Sequence, residues 1–559
     1  MTQSYPHIIP DVSKWPVARQ SRERAQFIEK LNDFALQRLL AEHAGKLQEL
    51  ISRTTYMENQ RIRTNPWKVD PADEKKYWES IATELEGSAG REDKEEVELA
   101  LLKKVINRYN EEIVGHFSPS TFAFSRVFLT SFFKRLFTRY FEKGRWRWGN
   151  KEALKQKIKV RGNLPLIRDL FEKGTVVILP THYSNLDSIM VGYAIDANAG
   201  LPSFSYGAGL NLYNTEIVAY FINRLGAFRV DRRKKNPIYL ECLKSMTGYS
   251  IIDDVNCLFF PGGTRSRSGQ TEDRLKLGLI SSVIEAQRIH YEMGHDRKIY
   301  VVPLCIGYHF VLEANQLIDQ HLRQAGRDKY KGVRIPPISF SNVLKFVRDM
   351  FTKSSEVYMS FGDPMDVFGN QVDEHGDSFD RFGNKLNLAD YFTLDGALAP
   401  NLQRESIYAK LLAEKVVASY KKFNVVLSSN LVAFTAFHLI YKDYAESGLF
   451  SLLNLRDVVF KVKKEDMLSA VGAMIPFLLQ LAENKVITLS DEDWHAPETI
   501  IMEGINKLGI YHYRSVLKAS GEHEWMCPDI RILYFYHNRL VHYGLEAHMQ
   551  WPEAIIKSE

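Results

Sequence analysis

Up to about Gly115 the apolar positions recur at three- and four-residue steps, as in RERAQFIEKLNDFALQRLLAEHAGKLQELI, which is the spacing of one helix face. Residues 1–115 therefore read as a helical region. From Phe117 to Trp148 the spacing continues with aromatic residues: Phe124, Phe128, Phe132, Leu136 and Tyr140 share a stripe, with Arg126, Lys134, Arg135, Arg139 and Lys143 beside it. This predicts a basic amphipathic helical segment over 116–150. Its apolar face either packs in a core or lies in a membrane interface with its cations at anionic head groups, and the Trp146 and Trp148 pair favours the interface.

Between Gly174 and Gly362 the pattern changes. Short apolar runs (TVVILP, NCLFFP, IYVVPL, EVYMSFG) alternate with longer helical stretches such as NLDSIMVGYAIDA and LGLISSVIEAQRI. Continuous apolar runs of strand length belong to a sheet covered on both faces, so 151–362 reads as an α/β domain with its active groups where strands end and helices begin. The Asp-, Gly- and Asn-rich stretch at 363–400 reads as an irregular acidic loop, and its spacing does not match an EF-hand. From 401 to 559 the pattern is helical to about Met549, with His537 and His542 of HNRLVHY as packing residues. The apolar stretches near Val425–Ile440 and Ala470–Leu481 are shorter than the roughly 20 residues that span a bilayer, so no transmembrane helix is expected.

Composition narrows the class only a little. The chain has 559 residues, enough for two or three structural units, and its 45% hydrophobic and 25% charged residues are ordinary globular usage. A formal charge of +5 is too mild to argue for nucleic acid, and the basic clusters lack interleaved base-stacking aromatics. Cys242, Cys257, Cys305 and Cys527 form no CxxC or Cys/His cluster, so neither a zinc site nor a disulfide framework is expected. The first residues lack a basic head, an apolar core and a small-residue cleavage site, which leads to the expectation of a chain that stays in the cytoplasm.

Candidate chemistry begins at Pro180-Thr181-His182-Tyr183-Ser184-Asn185-Leu186-Asp187, directly after TVVILP. A second HxxxxD, His375 to Asp380, lies in the acidic loop with no strand leading into it. On a continuous helix, residues five apart diverge by about 140°, so His182 and Asp187 pair only if the chain turns between them. A helix starting near Leu186 with Asn185 as its cap would provide that turn. The carboxylate then fixes the imidazole tautomer while the imidazole removes a proton from an attacking hydroxyl. Ser184 and Ser188 flank the pair, but there is no GxSxG elbow to present a nucleophilic serine.

A second cluster, Phe260-Pro261-Gly262-Gly263-Thr264-Arg265-Ser266-Arg267-Ser268-Gly269, also follows an apolar strand. Glycines permit close backbone approach, arginines fork onto phosphate oxygens, and hydroxyls add hydrogen bonds. It is neither a Walker loop nor a dinucleotide fingerprint. Gly226 to Lys235, GAFRVDRRKK, adds basic side chains that could complete an anionic pocket. Val301-Val302-Pro303-Leu304 ends a strand on proline.

In this order the four pieces resemble the four blocks of the glycerolipid acyltransferase superfamily: HxxxxD, a GxxFxxR-like block, FPEGTRS and a strand ending VP. EEIVGHFSPSTF, GAGLNL, Lys276, Gly278 and IGYHFVLE are most similar to the membrane-associated glycerol-3-phosphate acyltransferases, and the likeness covers roughly 110–328 and, more loosely, SSNLVAFTAFHLI. The resemblance implies an α/β acyltransferase domain with a mixed sheet flanked by helices, between helical N- and C-terminal regions. It assigns His182 and Asp187 as the catalytic dyad and Arg232, Gly263, Thr264, Arg265, Ser266, Arg267, Lys276 and Pro303 to the substrate site. It implies no metal and no cofactor, acyl-CoA or acyl-carrier-protein as donor, glycerol-3-phosphate as acceptor, and a peripheral place on the cytoplasmic face of a membrane. A lysophosphatidate acyltransferase and a catalytically silent membrane-binding protein are the alternatives. One position departs: Gly262 stands where the family carries glutamate.

Overall fold

The computed structural model describes residues 5–142, 145–210, 213, 216–326, 330, 355–455, 458–512 and 514–551. Its centre is a seven-stranded mixed sheet of β1 (Ile158–Arg161), β2 (Gly174–Pro180), β3 (Ser205–Gly209), β4 (Ala227–Val230), β5 (Cys257–Leu258), β6 (Lys298–Tyr308) and β7 (Val357–Phe361), in the order β1-β7-β6-β2-β5-β3-β4. All neighbours are parallel except β6 and β7. The TVVILP run is apolar throughout because period-two alternation sends successive side chains into different cores. Val176 and Ile178 enter the core shared with the C-terminal helices, while Val177 and Leu179 enter the core on the opposite face. The same alternation splits Tyr300, Val302 and Leu304 from Ile299 and Val301 on β6.

The N-terminal region folds as the spacing predicts, into α1 (Arg24–Glu42), α2 (Leu47–Thr64), α3 (Glu74–Gly87) and α4 (Lys94–Ile113). Their apolar faces close a core of their own against α7 (Pro237–Ile252) and Phe228 of β4. The bundle is thereby fixed to the edge of the sheet at which the basic GAFRVDRRKK block emerges.

The segment predicted as helical over 116–150 is only partly so. Helix α5 runs Pro119–Phe137, and an antiparallel pair, Arg139–Glu142 with Arg145–Trp148, follows it. RWRW alternates charged and aromatic residues at period two, which suits a strand and not a helix, and it pairs with RYFE. Thr138 makes the break, its hydroxyl donating to the Lys134 carbonyl and accepting from Gly149 N. The predicted stripe faces outward at its start: Phe124 and Phe128 are 59% and 56% exposed, with Val127 beside them 71% exposed, and Phe132 is half-buried, while the buried face is made by Phe133 and Phe137. Arg126 is committed to Asp196 at 2.5 Å. Lys143 and the side chains of Leu136, Arg139, Tyr140, Trp146 and Trp148 lie outside the described residues.

The acidic stretch at 363–400 is also more ordered than expected. Asp366, Asp373 and Asp380 recur every seven residues, and each Oδ1 accepts two backbone N–H groups, from the residues two and four positions on. Gly369, Gly376 and Gly383 turn each repeat in the left-handed region, and the segments between pair as a three-stranded sheet. The Asp carboxylates and the Gly turns that marked the region as loop are the features that order it. His375 is exposed here, and the contact within 4 Å of its ring nitrogen is Glu374, not Asp380.

Beyond α8 (Leu277–Glu292), which packs against the sheet, the C-terminal region is mainly helical, with α9 (Leu402–Phe423), the deeply buried α10 (Ser428–Lys442), α11 (Lys464–Glu483), α12 (Pro497–Lys507) and α13 (Ile530–His537). It also contains a three-stranded sheet that the helical pattern gave no sign of. Among the described residues one helix, α11, is long and apolar enough to cross a membrane by length and composition; its Met467, Val471, Met474 and Leu478 are buried in the main core. His537 is buried among Phe434, Phe437 and Tyr534, and burial pushes its imidazole down to about 3.

Candidate active site

Beyond Pro180, β2 continues by one residue: Thr181 N donates to the Leu304 carbonyl and its hydroxyl accepts from Ile306 N. The chain then turns. Helix α6 (Asp187–Ala197) begins at the aspartate itself, with Leu186 as N-cap, so Asn185 is not the cap and its backbone N–H donates to Glu313 instead. The turn works because Asp187 Oδ2 collects three groups at once: His182 Nδ1 at 2.8 Å, Tyr183 N at 2.6 Å and Ser184 N at 2.9 Å. These N–H groups belong to the turn ahead of the helix, so the first carboxylate of α6 closes that turn and folds the histidine back onto itself.

Asp187 is fully buried, and its second oxygen accepts the Tyr308 hydroxyl at 2.8 Å. His182 stacks on Phe260 with ring centroids 4.2 Å apart. Both of its backbone groups are tied to the second cluster, N–H to Glu272 Oε1 at 3.0 Å and carbonyl to Ser266 N at 2.7 Å. With Nδ1 donating to the carboxylate, Nε2 is left as the lone-pair nitrogen, the arrangement a general base requires.

His182 lines a cavity of about 1160 Å³ together with Arg232, Gly263, Arg265, Arg267 and Lys276. Five of the eight sequence-predicted substrate residues thus share the histidine's cavity. Arg233 and Lys234, adjacent to Arg232, are spent elsewhere. Arg233 stacks on Trp67 and pairs with Asp231 at 2.7 Å and with Asp70, and Lys234 pairs with Glu112 at 2.6 Å. Arg232 and Lys276 have no ion-pair partner among the described residues. Burial, and then the like charges of Arg265 and Arg267, push the Arg232 guanidinium below its ordinary value, so three cations crowd one space in which an anion would relieve them. Gly263 has φ 75°, and a Cβ there would sit 2.7 Å from the Lys276 amine, so the glycine makes room for that lysine.

Thr264, Ser266 and Pro303 lie outside the cavity wall. The Ser266 hydroxyl donates to the Gln270 carbonyl at 2.7 Å and shapes the loop. Pro303 is buried within β6 opposite Leu179, its carbonyl accepting from Gly362 N, and its ring removes the reciprocal N–H at that end of the β6–β7 ladder. The pattern reading missed the residues that hold this site from a distance. Glu313 receives Ser184 and Asn185 and lies 3.4 Å from Arg265, and Asn538 reaches back from the C-terminal helices to the Ser268 carbonyl at 2.8 Å. The opposite wall comes from the N-terminal bundle, with Leu39, His43 and Trp67, and apolar Phe228, Leu240 and Leu243 continue the lining. Among the described residues no group of three or more His, Cys, Asp or Glu side chains is placed to hold a metal.

Parts of the chain are similar to known proteins. Residues 151–307 match the acyltransferase family model. A glycerol-3-phosphate acyltransferase from Pseudoalteromonas translucida is 30% identical over 203 residues, 36% of this chain and 23% of that protein. Its counterpart from Aeromonas hydrophila is 26% identical over 284 residues, 50% of this chain and 31% of that protein. The chain therefore matches less than a third of the length of either relative. A solved 1-acyl-sn-glycerophosphate acyltransferase from Thermotoga maritima aligns with a TM-score of 0.26 at 11% identity, covering 66% of this chain and 94% of that one.

Proposed function

We propose, from the premise that the chain belongs to the glycerolipid acyltransferase superfamily through residues 151–307, that it moves a fatty acyl group from a thioester to the sn-1 hydroxyl of glycerol-3-phosphate. The observation that carries the proposal is the opening of His182, backed by Asp187, onto the same cavity as Arg232, Arg265 and Arg267. His182 Nε2 takes the hydroxyl proton, the resulting oxygen attacks the thioester carbonyl, and collapse of the tetrahedral adduct expels the thiolate, which recovers the proton from the imidazolium. The arginines hold the acceptor's phosphate and so keep the hydroxyl at the base instead of leaving the encounter to collision. The apolar part of the lining receives the acyl chain. The donor is acyl-CoA or acyl-carrier-protein, and no cofactor or metal takes part.

The same proposal places the protein peripherally on the cytoplasmic face of a membrane, with Phe124, Val127 and Phe128 of α5 as the inserted face. Tyr220, 50% exposed and neighbouring Phe221, which stacks on Phe124, extends that patch.

The test supplies purified protein with palmitoyl-CoA or a palmitoyl carrier protein, together with glycerol-3-phosphate or lysophosphatidate, and identifies products by mass spectrometry. The expected product is lysophosphatidate, formed by wild type and by His375→Ala but not by His182→Ala. Product from lysophosphatidate alone would move the activity to the next acylation, and equal loss in the two histidine variants would refute His182 as the base.

A further inference from the structure

Gly262 lacks the carboxylate that the superfamily's third block carries, yet the space in front of it is filled. A Cβ built on Gly262 would meet Glu272 Cγ at 3.1 Å and Oε1 at 3.2 Å. From a glutamate's own Cβ, two C–C bonds and a C–O bond carry its carboxylate oxygen about 3 to 3.6 Å. A glutamate at 262 can therefore set its oxygen where Glu272 Oε1 now lies. A side chain at 262 and Glu272 in its present position compete for one volume, so one of them has to shift.

Glu272 uses that position. Oε1 accepts the His182 backbone N–H at 3.0 Å, while Ser266 N donates to the carbonyl of the same residue. The loop carrying the arginines thus grips the histidine's peptide from both sides. Glu272 does not reach the cavity wall, and its Oε2 is buried without a hydrogen-bond partner among the described residues. Contact with substrate is therefore not its role.

We propose that Glu272, ten residues downstream, replaces the missing third-block glutamate as the positioning residue of the active site, fixing the backbone of His182 so that Nε2 faces the acceptor hydroxyl. This rests on the reading of His182 as general base. It also explains how a glycine at 262 is compatible with an intact dyad: the carboxylate has moved in sequence but not in space. Gly262, unlike Gly263, is not among the residues with positive φ, so its backbone admits a side chain once Glu272 is gone.

The experiment relocates the carboxylate. Glu272→Ala is expected to lower kcat by about tenfold with both KM values little changed, since one hydrogen bond that aims the base is lost and no substrate contact is touched. Gly262→Glu alone introduces the collision and lowers both Tm and kcat. The double variant Gly262→Glu/Glu272→Ala is expected to recover most of kcat and of Tm. Hydrogen exchange at the His182 amide, followed by mass spectrometry, gives a second readout independent of turnover. Protection should be present in wild type, lost in Glu272→Ala and restored in the double variant. A double variant no better than Glu272→Ala, or protection indifferent to residue 272, would overturn the replacement. Wild-type protein without transferase activity would instead overturn the functional reading, and the exchange pattern would still decide whether Glu272 holds His182.

Discussion

Tyr308 donates its hydroxyl to Asp187 Oδ1 at 2.8 Å, so the carboxylate that orients His182 is held from a strand 121 residues further along the chain. Three donors secure Oδ2, but among the described residues the tyrosine alone donates to Oδ1, and Asp187 is fully buried. Tyr308→Phe leaves that oxygen without a donor in an apolar setting, a loss of about 1.5 to 3 kcal/mol for a hydrogen bond to a charged group. The expected result in steady-state kinetics is a kcat lower by about tenfold with the KM for glycerol-3-phosphate nearly unchanged, because the substrate does not touch the tyrosine.

Arg232 gives a different kinetic signature. It lies in the cavity beside Arg265 and Arg267 with no ion-pair partner among the described residues, while its neighbours Arg233 and Lys234 are bound to Asp70, Asp231 and Glu112. Arg232→Ala should raise the KM for glycerol-3-phosphate by about tenfold or more and leave the donor KM unaltered, as expected of a charge-assisted contact to the acceptor's phosphate. An effect confined to the donor would assign these arginines to the phosphates of coenzyme A.

What the sequence made legible, and what it did not, follows the range of the interactions. Strands β2, β5, β6 and β7 stood out because burial on both faces leaves unbroken apolar runs, and the His182–Asp187 pair stood out because a strand leads straight into it. Strands β3 and β4, SYGAG and AFRV, carry too few β-branched residues to be seen. The antiparallel entry of β7 depends on contacts no local pattern encodes. The hairpin at Arg139–Trp148 reads as helix from its aromatic and basic residues, which suit both periods, and only the strict alternation of RWRW separates them. Glu272, Tyr308 and Glu313 reach the dyad and its turn from 90 to 129 residues away, so no spacing rule brings them to it.

The exposed aromatic face of α5 has its own test. Phe124, Val127 and Phe128 are more than half exposed on a helix whose other side is anchored by Phe133 and by Arg126 to Asp196. Phe124→Ser/Phe128→Ser should not disturb that anchoring, so Tm should stay within a few degrees, while sedimentation with vesicles containing anionic lipid should fall by about tenfold, the order expected for withdrawing two aromatic side chains from an interface. Unchanged sedimentation would move the membrane contact off this helix.

Glu272 also makes the protein's stability depend on pH in a way that a surface glutamate would not. Burial raises its carboxyl to about 7 from the usual 4.5 and Asp187 pushes in the same direction, opposed by the N–H groups of His182 and of Glu272 itself and by Arg539. The folded chain therefore holds a proton that the unfolded chain has released between pH 4.5 and 7, so the contribution is fully present below 4.5 and is lost as pH rises through 7. Denaturant unfolding across this window should show wild type losing stability relative to Glu272→Gln, by on the order of 3 kcal/mol at most, with no further divergence above pH 8. A wild-type curve parallel to that of the glutamine variant would mean that Glu272 ionises freely in the fold, and the carboxyl beside Gly262 would then have to be solvated, not sealed behind the histidine.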